Sequence, residues 1–168
     1  MNIVVTGADG LLGSNLLRVL LDRGHGTRAF LQKGKASPSL EGLPVEKFYG
    51  DILDPESLAK AFAGQDGAIH AAANTSVWPA RSEASRRVNV EGTAAAVRAA
   101  EKAGIARFVY IGTANSFDPG TKERPGTEES PYTASKFGLD YMDGKYQAQS
   151  LVLAAARDRG FPALVVNP

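Results

Sequence analysis

Two tyrosine–lysine pairs share the spacing Tyr-x-x-x-Lys, and they are Tyr132/Lys136 and Tyr141/Lys145. Residues four positions apart lie on one face of a helix, so the lysine ammonium can approach the phenol and favour its ionised form. A tyrosine with such a neighbour can act as a general acid or base. One such pair can arise by chance. The positions of the two pairs relative to the predicted strands and helices must therefore show which pair is functional.

A glycine-spaced turn is the second segment that could do chemistry, with Gly7, Gly10 and Gly13 three residues apart. The turn follows the apolar run 3–5 and precedes leucines at helical spacing, so it joins a buried strand to a helix. Free backbone amides and the positive end of the helix would bind a pyrophosphate there. Gly7 would permit the tight turn, Gly10 the approach of a phosphate oxygen, and Gly13 close packing of helix on sheet.

The elements that must position these residues alternate along the chain. Apolar runs predict strands at 3–5, 27–32, 45–49, 67–72, 107–111 and 163–166. Helices are predicted after the glycine turn, at 55–62, at 84–103 and before the last strand, with a loop at 112–131. This alternation predicts an α/β fold, a doubly wound parallel sheet of about six strands of the Rossmann type, with ligands at the strand carboxyl ends.

The amino-acid composition argues against several classes of binding partner. The 168 residues suit one domain, and a net charge of +1 without long charged runs gives no reason to expect nucleic acid or a membrane surface. The chain has no cysteine and only two histidines, in unrelated segments, so we expect no metal site. Met1 and Asn2 lead directly into the first strand, which predicts no signal segment or membrane span. We expect a cytoplasmic protein with a small-molecule substrate.

The glycine turn, with Thr6 before it, resembles the T-G-x-x-G-x-x-G signature of the extended short-chain dehydrogenase/reductase family, particularly its epimerases, dehydratases and dihydroflavonol-reductase-like enzymes. The segments 50–54, 70–73 and 88–93 are similar to family motifs. In the family, an acid at the position of Asp51 accepts from the adenine amine. The resemblance implies NAD(P) contacts from Gly7, Ala8, Asp9, Gly10, Leu11, Leu12, Gly13, Gln32, Lys33, Asp51, Ile52, Ala71, Ala72, Ala73 and Lys145.

Other residues of these motifs are expected to be structural. We interpret His70 as filling space beside the cofactor, since the family supplies a tyrosine for proton transfer. Asn89 is expected to bridge backbone groups, and Asp54 to cap a helix that begins with Pro55.

Cofactor choice should depend on the end of the second strand, where an acid favours NAD and cations favour the 2′-phosphate of NADP. Gln32, Lys33 and Lys35 stand there, and no acid follows until Glu41. We therefore predict NADP as the preferred cofactor, with NAD as the alternative. Arg28 would contribute only if it points to the cofactor side of the sheet.

Distances favour the second tyrosine–lysine pair. A helix from Lys145 to Arg159 spans about 21 Å and matches a strand of five or six residues, whereas one from Tyr132 would overshoot the sheet. The resemblance agrees, because Thr113 stands where the family has a catalytic Ser or Thr, and Lys145 begins a segment like K-x-x-A-E. Ser135 before Lys136 opposes this choice. We predict Thr113, Tyr141 and Lys145 as catalytic residues, with Ser116 as the fallback hydroxyl and Tyr132 and Lys136 in a loop or lid.

Three functions remain open from the sequence. They are an oxidoreductase of a small carbonyl or alcohol, an epimerase or dehydratase of a nucleotide sugar, and a dinucleotide-binding domain without catalysis. Family members continue past the equivalent of Asn167-Pro168 into a smaller lobe that closes over the substrate. We therefore expect residues 1–168 to be the NAD(P)-binding part of a longer enzyme, without the substrate lobe, and to turn over poorly alone. Self-association, for instance as a homodimer, is a further expectation.

Overall fold

The computed structural model describes residues 1–168 and contains six strands. They are β1 (Asn2–Thr6), β2 (Gly26–Gln32), β3 (Glu46–Gly50), β4 (Gly67–His70), β5 (Arg107–Ile111) and β6 (Ala163–Val166). All pairings are parallel, in the order β3-β2-β1-β4-β5-β6. The chain therefore builds outward from β1 and then returns to β4 on its other side. This reversal opens a crevice at the carboxyl ends of β1 and β4.

Five α-helices connect the strands. They are α1 (Leu11–Asp22), α2 (Pro55–Phe62), α3 (Glu83–Arg86), α4 (Thr93–Ala103) and α5 (Asp140–Arg159), with a π-helical segment, Arg87–Gly92, between α3 and α4. Short 3₁₀ helices lie at Pro38–Leu40, Ala114–Ser116 and Ala134–Phe137. No helix is both long and apolar enough to cross a membrane.

The sheet is covered on both faces. On one side Phe62, Val97 and Val152, from α2, α4 and α5, belong to a buried cluster of 18 residues. On the other side Leu17 of α1 belongs to a cluster of seven that includes Leu31. Burial on both faces explains why the central strand β1 carries a continuous apolar run at 3–5. The doubly wound α/β fold predicted from the sequence is confirmed.

Element bounds differ from the prediction mainly beside the crevice. The fourth strand ends at His70, so Ala71–Ala73 lie outside it, and the predicted helix 84–103 is divided by the π-helical segment. In that segment the Asn89 side chain exchanges two hydrogen bonds with the backbone of Asn74, at 2.8 and 3.0 Å. The helix is thereby tied to the loop after β4, which residue periodicity does not reveal.

Candidate active site

Close packing explains the glycine turn. Gly7 has φ +66°, and a Cβ atom there would lie 2.7 Å from the backbone of Ala71. A Cβ atom on Gly13 would overlap the Gly7 carbonyl oxygen. Gly10, at the N-cap of α1, has no side chain to satisfy the first amides of the helix, and the first turn carries no acid. These amides are free to bind an anion.

Two adjoining cavities occupy the crevice. The central cavity, of about 460 Å³, is lined by the glycine turn together with Ala71, Ala73, Thr75, Ile111, Gly112, Tyr141 and Lys145. The edge cavity, of about 230 Å³, is lined by Gly7, Asp9, Phe30, Gln32, Lys35, Gly50, Asp51, Ile52, Ala72, Ala73 and Val88. Gly7, Asp9 and Ala73 line both. Together the cavities form one crevice along the carboxyl ends of the strands, where doubly wound folds bind their ligands.

Most of the predicted cofactor residues line these cavities, and two do not. Ala8 is fully buried in the core beneath the turn. Lys33 is exposed, and its backbone amide donates to the Gly50 carbonyl at 3.1 Å, while Lys35 lines the edge cavity. The Asp51 carboxylate accepts from the Leu53 amide at 2.8 Å and keeps a second oxygen for another donor. Arg28 binds the Ala61 carbonyl and Glu46, away from both cavities.

Tyr141 and Lys145 lie on the first turns of α5, and both face the central cavity. The Lys145 side chain is only 4% exposed, and its ammonium donates to the Ile111 carbonyl at 2.5 Å. The same nitrogen lies 4.4 Å from the centre of the Tyr110 ring. Burial lowers the pKa of Lys145 to about 8. Tyr141 thus lines the same cavity as a buried cationic side chain.

The other pair has different surroundings. Tyr132 donates to the Asp143 carboxylate at 2.5 Å and stacks on Tyr146, with ring centres 4.2 Å apart. Burial and the hydrogen bond to Asp143 raise the pKa of Tyr132, which opposes its use as a base at neutral pH. Lys136 lines a separate cavity. The structure therefore brings Tyr141 and Lys145, but not Tyr132 and Lys136, to the glycine turn.

Thr113 follows β5 directly and is held from two sides. Its amide donates to the Asn167 side chain at 2.8 Å, and its hydroxyl oxygen accepts from the Asn115 amide at 3.3 Å. The hydroxyl hydrogen remains available to an acceptor outside the protein. Thr113 does not itself line the two cavities, although Gly112 does. Ser116 is buried and its hydroxyl has no partner.

His70 is a neutral structural residue. The Thr93 hydroxyl donates to the Asn89 carbonyl at 2.7 Å, so it accepts from His70 Nε2 at 3.0 Å. His70 Nδ1 then accepts from the Thr6 hydroxyl at 2.8 Å. Burial, and secondarily the Lys145 charge, lower the pKa of His70 to about 3. With both nitrogens occupied, the imidazole links β4 to Thr93 of α4, and it lines neither cavity of the crevice, so its expected place beside the cofactor stays a prediction.

Comparison with known proteins gives the family. Residues 3–168 match the model of the NAD dependent epimerase/dehydratase family. The chain belongs to this family. It is 36% identical over 170 residues to sterol demethylase protein B of Methylococcus capsulatus, covering 100% of this chain and 51% of that protein. It is 34% identical over 170 residues to 2-alkyl-3-oxoalkanoate reductase of Stenotrophomonas maltophilia, covering 100% and 50%.

The similarity to a solved structure agrees with this family assignment. A short-chain dehydrogenase/reductase superfamily protein from Agrobacterium tumefaciens, solved with bound NAD, is 27% identical with a TM-score of 0.84, covering 99% of this chain and 48% of that chain. The family resemblance and the NAD(P)-binding Rossmann fold inferred from the sequence are thus confirmed. The chain spans about half the length of the curated relatives it matches.

Sequence reasoning did not predict Tyr110, which contacts Lys145, nor Thr75, Ile111 and Gly112, which line the central cavity. Within the run Val109-Tyr110-Ile111, Tyr110 looked like an ordinary strand residue. The available signal was alternation along β5, which turns Tyr110 towards the face covered by α5, where Lys145 enters.

Proposed function

We propose that this chain is the cofactor-binding half of an oxidoreductase that transfers a hydride between NAD(P) and a carbonyl or its alcohol, with Tyr141 as the acid or base. One observation carries this proposal: Tyr141 and Lys145 share a cavity with the glycine turn. A domain that only bound a dinucleotide would need the turn but no tyrosine–lysine pair at its edge.

In the proposed reduction, the bound cofactor supplies a hydride to the carbonyl carbon. Tyr141 donates its phenol proton to the carbonyl oxygen, and in the reverse direction it removes the alcohol proton. Lys145 would lower the free-energy cost of forming the phenolate and would hold the nicotinamide ribose. Thr113 would donate its free hydroxyl hydrogen to the substrate oxygen.

The glycine turn and the edge cavity would hold the rest of the cofactor. The free amides of α1 suit the pyrophosphate, and Asp51 suits the adenine amine. Lys35 supports a preference for NADP, because its ammonium can pair with a 2′-phosphate at the end of β2. Asp9 lines the same cavity and would repel that phosphate, so the preference depends on Lys35 outweighing Asp9.

A third cavity, of about 450 Å³, supports the route of the substrate. Its lining includes Ala114 and Asn115, next to Thr113, and Met142, next to Tyr141. In this proposal the substrate would occupy that cavity, beside the residues that follow Thr113. The names of the two relatives mention a sterol and a 2-alkyl-3-oxoalkanoate, and both have apolar frameworks.

The family match also favours a second function, epimerisation or dehydration of a nucleotide sugar, in which the same tyrosine supports a transient oxidation. A cofactor that stays bound and is not consumed would indicate this reaction. Stoichiometric oxidation of NADPH on addition of a carbonyl would indicate the reductase.

The experiment compares Tyr141→Phe with its matched control Tyr132→Phe in the full-length protein. Binding of NADPH and NADH is measured by fluorescence, and turnover with a carbonyl panel that includes a 3-oxo acid and a 3-ketosteroid. We expect Tyr141→Phe to lower turnover at least about 100-fold with unchanged cofactor affinity, since only proton transfer is lost. Tyr132→Phe should retain most activity. Equal activity of the two variants would overturn the assignment, and absence of cofactor binding would overturn the proposed function.

A further inference from the structure

The Lys145 ammonium is held inside the protein by few groups. Its side chain is 4% exposed and its nitrogen donates to the carbonyl of Ile111, at the end of β5. The next contact is the face of the Tyr110 ring, whose centre lies 4.4 Å away. The face of an aromatic ring carries negative charge density and attracts a cation, most strongly where water is excluded.

The Tyr110 ring is fixed in place. Tyr110 is 1% exposed, lies in the larger core cluster, and stacks on His70 with ring centres 5.9 Å apart. Burial, and secondarily Tyr141, raise the pKa of Tyr110, so this phenol stays neutral. The ring therefore offers the lysine a permanent, uncharged and oriented partner.

The titratable groups around Lys145 supply no negative charge. Tyr110 faces it from β5, His70 lies on the neighbouring strand β4, and Tyr141 precedes it on α5. His70 and Tyr110 remain neutral, and no carboxylate pairs with Lys145, whose lowered pKa has burial as its cause. The face of the Tyr110 ring and the Ile111 carbonyl thus compensate for the hydration that the Lys145 ammonium loses on burial.

We propose that Tyr110 is a positioning residue of the active site, whose ring face holds the Lys145 ammonium at the carboxyl end of β5 and preserves its positive charge. This inference rests on the role of Lys145 in the proposed function. Without the ring, Lys145 would lose its proton at lower pH and would cease to support the Tyr141 phenolate in the neutral range.

The test changes the electron density on the face of the ring at position 110 while keeping the shape of the ring. Tyr110→Phe and a series of fluorinated phenylalanines at position 110, from one to five fluorines, are placed in the full-length protein. Fluorine withdraws charge from the ring face and weakens its attraction for a cation. The Lys145 pKa is then read by NMR titration of the labelled lysine ε-carbon, with the signal assigned by its absence in Lys145→Arg.

We expect the Tyr110→Phe variant to keep the Lys145 pKa within a few tenths of a unit and the pentafluorinated ring to lower it by about one unit, with graded values between. A Lys145 pKa that does not change across the series would overturn the inference. Should the pentafluorinated variant not fold, the singly and doubly fluorinated rings decide in the same way.

The outcome separates this inference from the proposed function, because the lysine signal requires neither substrate nor turnover. If the Lys145 pKa falls across the series while the pH profile of NADPH oxidation does not move, the ring holds the lysine as inferred and the catalytic role of Lys145 is overturned. If both move together towards lower pH, both hold.

Discussion

Tyr132 and Tyr141 carry the same motif, yet their neighbours have opposite charge. Tyr132 donates to the Asp143 carboxylate, which favours the protonated phenol, whereas Tyr141 lines a cavity with the Lys145 ammonium. Spacing alone cannot separate them, because both pairs satisfy the helical distance of four residues. At the scale of single residues, the Asp143 carboxylate opposes the use of Tyr132 as a base, and Tyr141 is the tyrosine that we propose for this role.

Cofactor preference is also decided by single residues. Lys35 lines the edge cavity and Lys33 does not, which makes Lys33→Ala a matched control for Lys35→Ala. If Lys35 pairs with a 2′-phosphate, Lys35→Ala should weaken NADPH binding about tenfold, since a charge-assisted hydrogen bond contributes about 1.5 kcal/mol or more. NADH binding should stay nearly constant, as measured by fluorescence titration.

A loss of NADH affinity as large as that of NADPH would contradict this role of Lys35. A larger effect in Lys33→Ala would show that the loop adjusts when the cofactor binds.

At the scale of elements, α1 and the glycine turn act as one unit. A Cβ atom on Gly13 would overlap the Gly7 carbonyl oxygen, so Gly13→Ala must push the helix away from the turn. We expect a loss of about 2 kcal/mol in the free energy of unfolding and at least a tenfold loss in NADH affinity, measured by thermal denaturation and titration. Gly67→Ala is the control, because its Cβ atom would meet nothing closer than 3.6 Å.

An unchanged melting temperature in the Gly13→Ala protein would contradict this prediction, because it would show that the turn accommodates a Cβ atom at position 13 without loss of stability. A stable Gly13→Ala protein that nonetheless fails to bind NADH would assign the glycine to cofactor contact and not to packing.

The first turn of α5 depends on contacts that are distant in sequence. Asp140 accepts from the Ser82 amide at 2.6 Å and pairs with Arg81 at 2.8 Å, and its own amide donates to the Ala80 carbonyl. These bonds join the loop after β4 to the helix that carries Tyr141. An exposed ion pair contributes little by itself, but the backbone bonds fix where the helix begins.

The sequence predicts the fold well because each element has a local signal. The bounds of α2, β5 and β6 follow directly from the capping residue Asp54, Pro55 and the apolar runs. The placement of Tyr141 follows from helix length and strand position. By contrast, the π-helical segment depends on contacts between distant elements. Alternation along β5 indicates the face on which Tyr110 lies, but no local pattern encodes its contact with Lys145.

At the scale of the whole molecule, the crevice lies open at the carboxyl edge of the sheet, and several large apolar side chains of the chain are exposed. Leu11, which lines the central cavity, is 87% exposed, and Phe137, which lines the separate third cavity, is 60% exposed. Trp78, in the loop after β4, is 82% exposed. Exposed apolar groups of this size mark a surface that another protein segment or a second copy can cover.

The isolated 168-residue chain should therefore bind the cofactor but catalyse poorly. The glycine turn and edge cavity are complete, so we expect its NADPH affinity to lie within about tenfold of the full-length protein. An uncovered crevice admits water and positions the substrate weakly, so turnover should be at least about 100-fold lower. Sedimentation should show concentration-dependent self-association through these exposed apolar side chains, and Trp78→Ser should weaken it without changing cofactor affinity. Full turnover by the isolated monomer would contradict this prediction, because it would show that residues 1–168 already enclose the substrate.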